Sequence, residues 1–222
     1  MTDKALLVVD VQNDFVEGGA LGCEGGKAAA AAITQLIAGL DPATELVAAS
    51  RDDHTPGSDN GGHISEHPDF VDSWPPHCID GTPGQAYAEP FATAHRDIEV
   101  QKGQGVPAYS AFEGHTADGR SLDQALRDAG VTQLDVCGIA TDYCVRASAL
   151  DAVRLGYQVR LLGALCAAVN PESGARAVDE MRDAGVGSWA LRTPVPPHSG
   201  QLCGNDAAQV STQGPESRLS AG

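Results

Sequence analysis

Polar residues that could take part in catalysis stand at the ends of apolar segments. Asp10, Asp52 and Lys102 each follow an apolar run, and Cys144 lies in the turn that leads from a further run into a helix. In an open parallel sheet, ligands bind outside the carboxyl ends of the strands. We therefore expect these side chains to meet at one edge of a sheet.

Cys144 is the candidate nucleophile of this group. A helix N-terminus offers free backbone N–H groups and a positive dipole, and both favour a thiolate. Lys102 would stabilise the charge and Asp10 would carry the proton, so the set supplies what covalent acyl transfer needs. Taken singly, the residues have simpler interpretations as a turn aspartate, a solvated lysine and a small buried cysteine. Their shared position favours the catalytic interpretation.

A second group lies in and just before the loop 54–90, which is rich in Pro, Gly, Asp and His. Its candidate metal donors are Asp52, His54, His63 and His77. A carboxylate and three imidazoles suit a divalent ion such as Zn, Fe or Mn, although spacings this loose also occur among surface histidines. The expected surface histidines are His67 and His95, and the competing carboxylates are Asp53 and Asp59.

The elements that must position these residues alternate along the chain. The predicted strands are 5–9, 45–50, 97–101, 134–139, 158–162 and 186–191. The predicted helices are 27–40, 121–129 with Ser121 as its cap, a helix that carries Val145 and ends at Gly156, and 170–181. This alternation predicts βαβ units around a parallel sheet, which is an α/β fold.

Length and composition indicate one folded domain with a tail. The chain has 222 residues, which suits a single sizeable core. After Thr193 the sequence reads Pro-Val-Pro-Pro and then becomes Gly/Ser/Gln-rich with hardly any apolar residues, so it cannot bury enough surface to fold. We predict a domain over residues 1–194 and a disordered tail over 195–222.

The charge of the chain argues against several kinds of partner. The 14 Lys+Arg and 30 Asp+Glu residues give a formal charge of -16. Such a field repels nucleic-acid phosphates and anionic lipid headgroups. We expect a small neutral substrate, with no nucleic acid and no membrane as partner.

The cysteines and the first residues favour a cytoplasmic protein. The six cysteines are scattered without a C-x-x-C pair, which is typical of reduced thiols. Cys137 and Cys166 lie inside apolar runs and are expected to be buried and inert. The apolar stretch 5–9 is too short for a signal-peptide core or a membrane span.

The order of these motifs along the chain matches a known family. They are Val-Val-Asp10-Val-Gln-Asn-Asp-Phe, Asp52-x-His54, Trp74-Pro-Pro-His77-Cys, Lys102-Gly, Ala108-Tyr-Ser-x-Phe-Glu-Gly114 and Cys137-Gly-Ile-Ala-Thr-Asp-x-Cys144-Val. Together they resemble the nicotinamidases, which belong to the isochorismatase-like hydrolases. The resemblance covers roughly residues 5 to 192.

The resemblance implies a three-layer α/β/α fold with a six-stranded parallel sheet and a catalytic triad of Asp10, Lys102 and Cys144. It also implies one divalent metal ion, completed by water, on Asp52, His54, His63 and His77. In such enzymes the metal takes the pyridine nitrogen of nicotinamide and the thiol attacks the carboxamide. The implied reaction is deamidation of nicotinamide to nicotinate, a step of NAD salvage, with pyrazinamide as a further substrate.

The resemblance further implies how the substrate is held. Backbone N–H groups of Ala140 and Cys144 would form the oxyanion hole, beside a cis peptide bond between Ile139 and Ala140. Phe15 and Trp74 would sandwich the aromatic ring, although core packing explains both without the resemblance. The residues expected to bind substrate are Phe15, Trp74, Tyr109, Ile139 and Ala140.

The chain departs from the family pattern around the third metal ligand and beside the nucleophile. The gap from His54 to His63 is longer than expected, so His63 is the least certain of the four ligands and His67 is the substitute candidate. The Ile-Ser that follows His63 favours His63. Tyr143 stands where a histidine often precedes the nucleophile.

Other functions stay open at this point. A hydrolase of the same superfamily could act on a carbamoyl or ureido amide, but such members usually lack the metal ligands. A non-catalytic metal-binding module would be expected to have lost the nucleophile or the base. A redox sensor would need a resolving cysteine for Cys144, for which Cys78 is the candidate. The sequence also leaves open the metal and whether the chain forms a homo-oligomer.

Overall fold

The computed structural model describes residues 3–188 and is built on one parallel sheet. Its strands are β1 (Lys4–Val9), β2 (Glu45–Asp52), β3 (Ile98–Lys102), β4 (Gln133–Ile139), β5 (Gln158–Ala167) and β6, described over Gly187–Ser188. Their order is β3-β2-β1-β4-β5-β6, and all neighbours pair in parallel. The predicted fold class is confirmed. The predicted tail, 195–222, lies outside the described residues.

Helices cover both faces of this sheet. They are α1 (Gly26–Ala38), α2 (Leu122–Asp128), α3 (Arg146–Arg154) and α4 (Pro171–Asp183). Successive side chains of β1 point to opposite faces: Leu7 packs in a core with residues of α2, α3 and α4, whereas Val8 packs in a core with residues of α1. Each fully buried apolar side chain contributes about 1.5–3 kcal/mol to folding. The three-layer arrangement therefore follows from the apolar strands.

Polar caps set where two of these helices begin. The Ser121 hydroxyl accepts a hydrogen bond from the backbone N–H of Gln124 at 3.2 Å, which confirms the predicted cap of α2. The Asn170 side chain accepts from the N–H groups of Glu172 and Ser173, and Pro171 occupies the first turn of α4. Both helices thus start where the sequence predicts.

Gly138 permits a close approach of β4 to β1. Its φ is +122°, and a Cβ atom there would lie 2.1 Å from the carbonyl oxygen of Val9. The pairing of β4 with β5 also shifts register between Val136 and Gly138, and β5 runs to Ala167, beyond its predicted end. The irregularity lies directly before the turn that carries the candidate nucleophile.

The connection between β2 and β3 contains no helix or strand over residues 53–90, all of which are described. Isolated bridges join His54 to Ile79 and Ile64 to Trp74. The buried Asn60 side chain accepts from the N–H groups of Thr55 at 2.9 Å and Gly105 at 3.0 Å. The loop is therefore tied to itself and to the segment after β3. In residues 3–188, no helix is both long and apolar enough to cross a membrane.

Candidate active site

The carboxyl edge of the sheet brings together the polar residues that the strand pattern singles out. Asp10 directly follows β1 with a φ of +48°. Asp52 and Lys102 are the last residues of β2 and β3 and are register partners. Both strands run further than predicted, so these two side chains belong to the sheet itself. Cys144 lies after β4 in a π-helical turn, Thr141–Val145.

The Lys102 side chain is fully buried at the centre of this group. Its Nζ atom lies 2.9 Å from Asp10 Oδ2 and donates a hydrogen bond to Asp52 Oδ1. The same ammonium lies 3.9 Å from Cys144 Sγ and 3.4 Å from the carbonyl oxygen of Ala108. Lys102 therefore contacts both carboxylates and the thiol at once.

The two oxygens of the Asp10 carboxylate have different surroundings. Oδ1 accepts a hydrogen bond from the Ser50 hydroxyl at 2.8 Å. Oδ2 faces the Lys102 ammonium at 2.9 Å. Ligand atoms of Asp10, Asp52 and Cys144 lie within 4.8 Å of one another. Asp10 Oδ2 is thus the oxygen placed to exchange a proton with the thiol.

Burial controls the protonation of this group. It raises the pKa of the Cys144 thiol well above its usual range, and the Lys102 ammonium offsets this only in part. Burial likewise raises the pKa of Asp10. Burial alone would lower the pKa of Lys102, but the Asp10 and Asp52 carboxylates outweigh it and raise that pKa. The helix end was expected to favour a thiolate; in the structure burial favours the neutral thiol.

The turn that carries Cys144 is fixed from two sides. The Ser148 hydroxyl donates to the Cys144 carbonyl at 2.6 Å and accepts from the N–H of Ala111 at 2.8 Å. The buried Asp142 carboxylate accepts from the N–H of Val169 at 2.9 Å and from the Ser173 hydroxyl at 2.5 Å. The thiol is therefore presented by a rigid segment.

Three histidines from the long loop form a second cluster beside this group. His54, His63 and His77 are buried, and their ligand nitrogens lie within 4.8 Å of one another. Asp52 Oδ2 lies 3.9 Å from His54 Nε2, so this carboxylate links the cluster to Lys102. Burial, aided by the other two histidines, lowers the pKa of His63 to about 4. Burial also lowers the pKa of His77.

The hydrogen bonds of these imidazoles fit a divalent metal ion. His54 Nδ1 contacts the carbonyl oxygen of Gly103 at 3.0 Å, and His77 Nδ1 contacts that of Pro75 at 2.8 Å. Such contacts fix the ring and leave Nε2 as a donor toward a metal. His54 Nε2 and His63 Nδ1 are buried without a hydrogen-bond partner among residues 3–188. Buried imidazoles with unpartnered nitrogens beside a carboxylate form a site for a divalent metal ion.

The competing donors lie elsewhere. His67 is exposed and is not part of the cluster, whereas His63 is. The Asp53 carboxylate accepts hydrogen bonds from Gln85 and Gln104. Asp59 is exposed. The geometry therefore favours His63 over His67 as the third imidazole.

One cavity of about 280 Å³ opens onto both clusters. Its lining residues are Phe15, Ala20, Leu21, Gly22, Cys23, Asp52, His63, Phe70, Trp74, His77, Ala108, Tyr109, Ala140, Tyr143, Cys144 and Val169. The Trp74 indole N–H donates to the Tyr109 hydroxyl at 3.1 Å, and its ring packs edge-on against Tyr143. The pocket therefore has aromatic walls with a thiol and imidazoles inside.

The predicted substrate-binding residues are placed as expected with one exception. Phe15, Trp74, Tyr109 and Ala140 line the cavity. The Ile139 side chain does not: it is fully buried in the core that contains α1. Ile139 therefore stays a predicted substrate-binding residue whose side chain does not line the cavity. The peptide bond between Ile139 and Ala140 is cis, as predicted.

Some residues of the site have no local signature in the sequence. The buried Gln12 side chain accepts from the N–H of Asp52 at 2.8 Å and donates to its carbonyl oxygen at 2.9 Å. Cys23 lines the cavity, whereas Cys78, the cysteine proposed for a redox pair, does not. Gln12 lies in the Val-Val-Asp10-Val-Gln-Asn-Asp-Phe motif that carries the resemblance, but nothing in that motif indicates its contact with Asp52.

The fold and the pocket at its carboxyl edge define an α/β protein with a ligand site at the ends of its strands. The chain belongs to the isochorismatase family, because the Isochorismatase domain matches residues 4–191. It is 45% identical over 183 residues to the nicotinamidase/pyrazinamidase of Mycobacterium tuberculosis, covering 82% of this chain and 96% of that protein. It is 36% identical over 208 residues to the nicotinamidase of Escherichia coli, covering 86% and 96%.

Solved structures agree with this assignment. The pyrazinamidase of Pyrococcus horikoshii in complex with zinc has a TM-score of 0.72 and 33% identity, covering 85% of this chain and 99% of that one. The protein PnC1 of L. infantum in complex with nicotinate has a TM-score of 0.72 and 30% identity, covering 85% and 92%. The family resemblance inferred from the motifs is thus confirmed.

Proposed function

We propose that the chain hydrolyses the carboxamide of nicotinamide to nicotinate and ammonia. The observation that carries this proposal is that one small cavity opens onto both the Cys144 thiol and the histidine cluster. An aromatic amide with a ring nitrogen offers its carboxamide to the thiol and its ring nitrogen to a metal ion on the histidines. The names of the relatives, nicotinamidase and nicotinamidase/pyrazinamidase, support the same substrate and extend it to pyrazinamide.

The first half of the reaction forms a thioester. Asp10 Oδ2 takes the proton of the Cys144 thiol while the sulfur bonds to the carboxamide carbon. Backbone N–H groups of Ala140 and Cys144 are proposed to stabilise the oxyanion, an effect worth about 3 kcal/mol of barrier per donor. When the intermediate collapses, the carbon–nitrogen bond breaks and Asp10 returns the proton to the departing nitrogen, which leaves as ammonia.

The second half returns the free enzyme. Asp10 takes a proton from a water molecule while the oxygen of that water bonds to the thioester carbon. The carbon–sulfur bond then breaks and the thiolate regains its proton from Asp10. Nicotinic acid leaves and releases its own proton to solvent to become nicotinate. Lys102 stays charged throughout, because the two carboxylates raise its pKa, and so it stabilises both the carboxylate and the transient thiolate.

We propose Asp52, His54, His63 and His77 as the residues that hold a divalent metal ion, with water completing its coordination. When bound, such an ion offers a Lewis-acidic position for the pyridine nitrogen. The donor set suits Zn, Fe or Mn. Phe15 and Trp74, on the walls of the cavity, are proposed to hold the ring between them.

We propose a role in NAD salvage, because the reaction would convert nicotinamide to nicotinate, which can return the pyridine ring to NAD synthesis.

We also propose a cytoplasmic location. The cysteines support it, because Cys23, Cys78, Cys137, Cys144 and Cys166 are all free thiols.

The test is ammonia release from nicotinamide, pyrazinamide, benzamide and an N-carbamoyl amino acid. We expect turnover of the first two and little of benzamide, which lacks the ring nitrogen. Cys144→Ala should be inactive while keeping its metal. Turnover of the carbamoyl compound instead of nicotinamide would replace this proposal with the ureido-amide alternative. Unchanged turnover in Cys144→Ala would reject the mechanism.

A further inference from the structure

The mouth of the catalytic cavity is apolar. Phe70 and Val169 line the cavity although they are 59% and 49% exposed. The partly or fully exposed Ala20, Leu21 and Gly22 also line the cavity, and we call these five residues the rim. The rim carries no charged side chain in a chain with a formal charge of -16. Exposed apolar surface that continues into a pocket is typical of ligand contact.

Phe70 is held at the rim by its own turn. The Asp69 carboxylate accepts hydrogen bonds from the backbone N–H groups of residues 71–73, at 2.9 to 3.0 Å. Phe70 itself has a φ of +59°, a conformation that bulky residues rarely adopt. Its ring packs edge-on against Trp74 with centroids 6.2 Å apart. The exposed ring is therefore fixed rather than left free.

Val169 is tied to the nucleophile turn. Asp142, two residues before Cys144, accepts a hydrogen bond from the N–H of Val169 at 2.9 Å and from that of Asn170 at 3.2 Å. The position of this rim residue is thus set by the same turn that presents the thiol.

The proposed substrate points one ring atom away from both inner groups. In nicotinamide the ring carbon that bears the carboxamide is meta to the ring nitrogen. If the ring nitrogen faces the histidine cluster and the carboxamide faces Cys144, one further ring carbon, meta to both positions, faces outward to the rim. The cavity, at about 280 Å³, approaches the ~300–1,000 Å³ of pockets that hold drug-sized ligands, which are far larger than nicotinamide.

We propose that the rim is a subsite for an apolar substituent on that outward ring carbon. The substrate class then extends to pyridine carboxamides that carry a small alkyl group there. This inference rests on the proposed function, because the orientation of the ring comes from it. Phe70 and Val169 are the specificity-determining residues.

The test compares kcat/KM for nicotinamide with kcat/KM for derivatives that carry methyl, ethyl or hydroxymethyl on this carbon. Each carbon buried at the rim should raise kcat/KM about fourfold. The ethyl derivative should be favoured over the hydroxymethyl derivative of similar size. Phe70→Ala and Val169→Ala should lower the ratio of ethyl derivative to nicotinamide about threefold to tenfold. Val71→Ala is the matched control, because Val71 is 69% exposed and does not line the cavity.

Two results would overturn the subsite. One is an equal preference for ethyl and hydroxymethyl derivatives in the unmodified enzyme. The other is a ratio that Phe70→Ala and Val169→Ala leave unchanged. Failure of the proposed function gives a different result, namely no ammonia from unsubstituted nicotinamide.

Discussion

Lys102 Nζ lies 2.9 Å from the Asp10 carboxylate in a pair with no exposed side-chain area. Burial raises the pKa of both Asp10 and the nearby thiol, and the Lys102 ammonium offsets both increases only in part. In the proposed mechanism the charge of Lys102 favours the ionised Asp10 carboxylate, which then accepts the thiol proton during attack. The proposed base and nucleophile therefore share one lysine.

Asp10→Asn should lower kcat about 10²–10⁴-fold, because the amide keeps the shape of the side chain but cannot take the thiol proton. The measurement is ammonia release under saturating nicotinamide. Asp53→Asn serves as the control, since the Asp53 carboxylate is bound by Gln85 and Gln104 outside the cavity. A kcat for Asp10→Asn within threefold of the unmodified enzyme would contradict the role of Asp10 as proton carrier.

His63→Ala should remove bound metal, whereas His67→Ala should not. His63 Nδ1 is buried without a hydrogen-bond partner in the described part of the chain, and His67 is exposed. Loss of a direct ligand should weaken metal affinity by more than the ~10–100-fold typical of outer partners. Elemental analysis of untreated protein identifies the metal, and competition with a chelator gives the affinity. Loss of metal in His67→Ala alone would transfer the ligand role to His67.

The sequence predicts the site best where position along a strand is enough. Asp10, Lys102 and Cys144 stand at or just beyond strand ends, and parallel strands bring such positions to one edge whatever the connections do. The histidines were found by residue type, and the Ile-Ser after His63 favoured it over His67 by resemblance alone. The folded loop adds the physical reason, since it brings His63 and not His67 to His54 and His77. That arrangement depends on how residues 54–90 cross each other, which no periodic pattern encodes.

Long-range polar contacts were beyond prediction for a related reason. Gln12 and Asp52 are joined by a side chain that bonds to backbone atoms 40 residues away. A glutamine that satisfies buried backbone groups has no pattern that separates it from a glutamine in solvent. The π-helical turn at Thr141–Val145 and the extension of β5 to Ala167 escaped for the same reason, since tertiary pairing sets both.

Gln12→Ala should weaken metal binding although the Gln12 side chain bonds to the backbone of Asp52 and not to its carboxylate. Its side chain holds both backbone groups of Asp52, and Asp52 supplies the carboxylate between Lys102 and His54. We expect a loss of about 10–100-fold in metal affinity. The variant would also leave the buried N–H and carbonyl groups of Asp52 without this partner, which should lower the free energy of unfolding by about 1–3 kcal/mol.

The metal affinity of Gln12→Ala is measured by chelator competition at a temperature where the variant is folded. Gln104→Ala is its control, because Gln104 is exposed and bonds to Asp53 instead. A Gln12→Ala protein that is less stable but binds metal as tightly as the unmodified chain would limit Gln12 to a structural role.

Alkaline pH should destabilise the chain through thiols whose pKa is raised by burial, and the half-buried Cys166 allows this to be measured at one site. Burial raises the pKa of Cys166 from 9.0 to about 12. The folded state then holds a proton that the unfolded state releases, so its contribution is complete below pH ~9 and is lost as pH rises toward 12. The slope is about 1.4 kcal/mol per pH unit for one thiol.

Cys166→Ser isolates this effect. The Cys166 thiol contacts the carbonyl oxygen of Leu162 at 3.5 Å, and a serine hydroxyl can donate to the same atom. Urea unfolding of both proteins at pH 7 gives the fixed cost of the substitution. Between pH 9 and 11 the difference in unfolding free energy should then shift by about 2 kcal/mol in favour of the serine variant, which has no thiol to ionise when unfolded. If the unfolding free energies of the two proteins instead change in parallel with pH across this range, Cys166 ionises as readily in the folded chain as in the unfolded one.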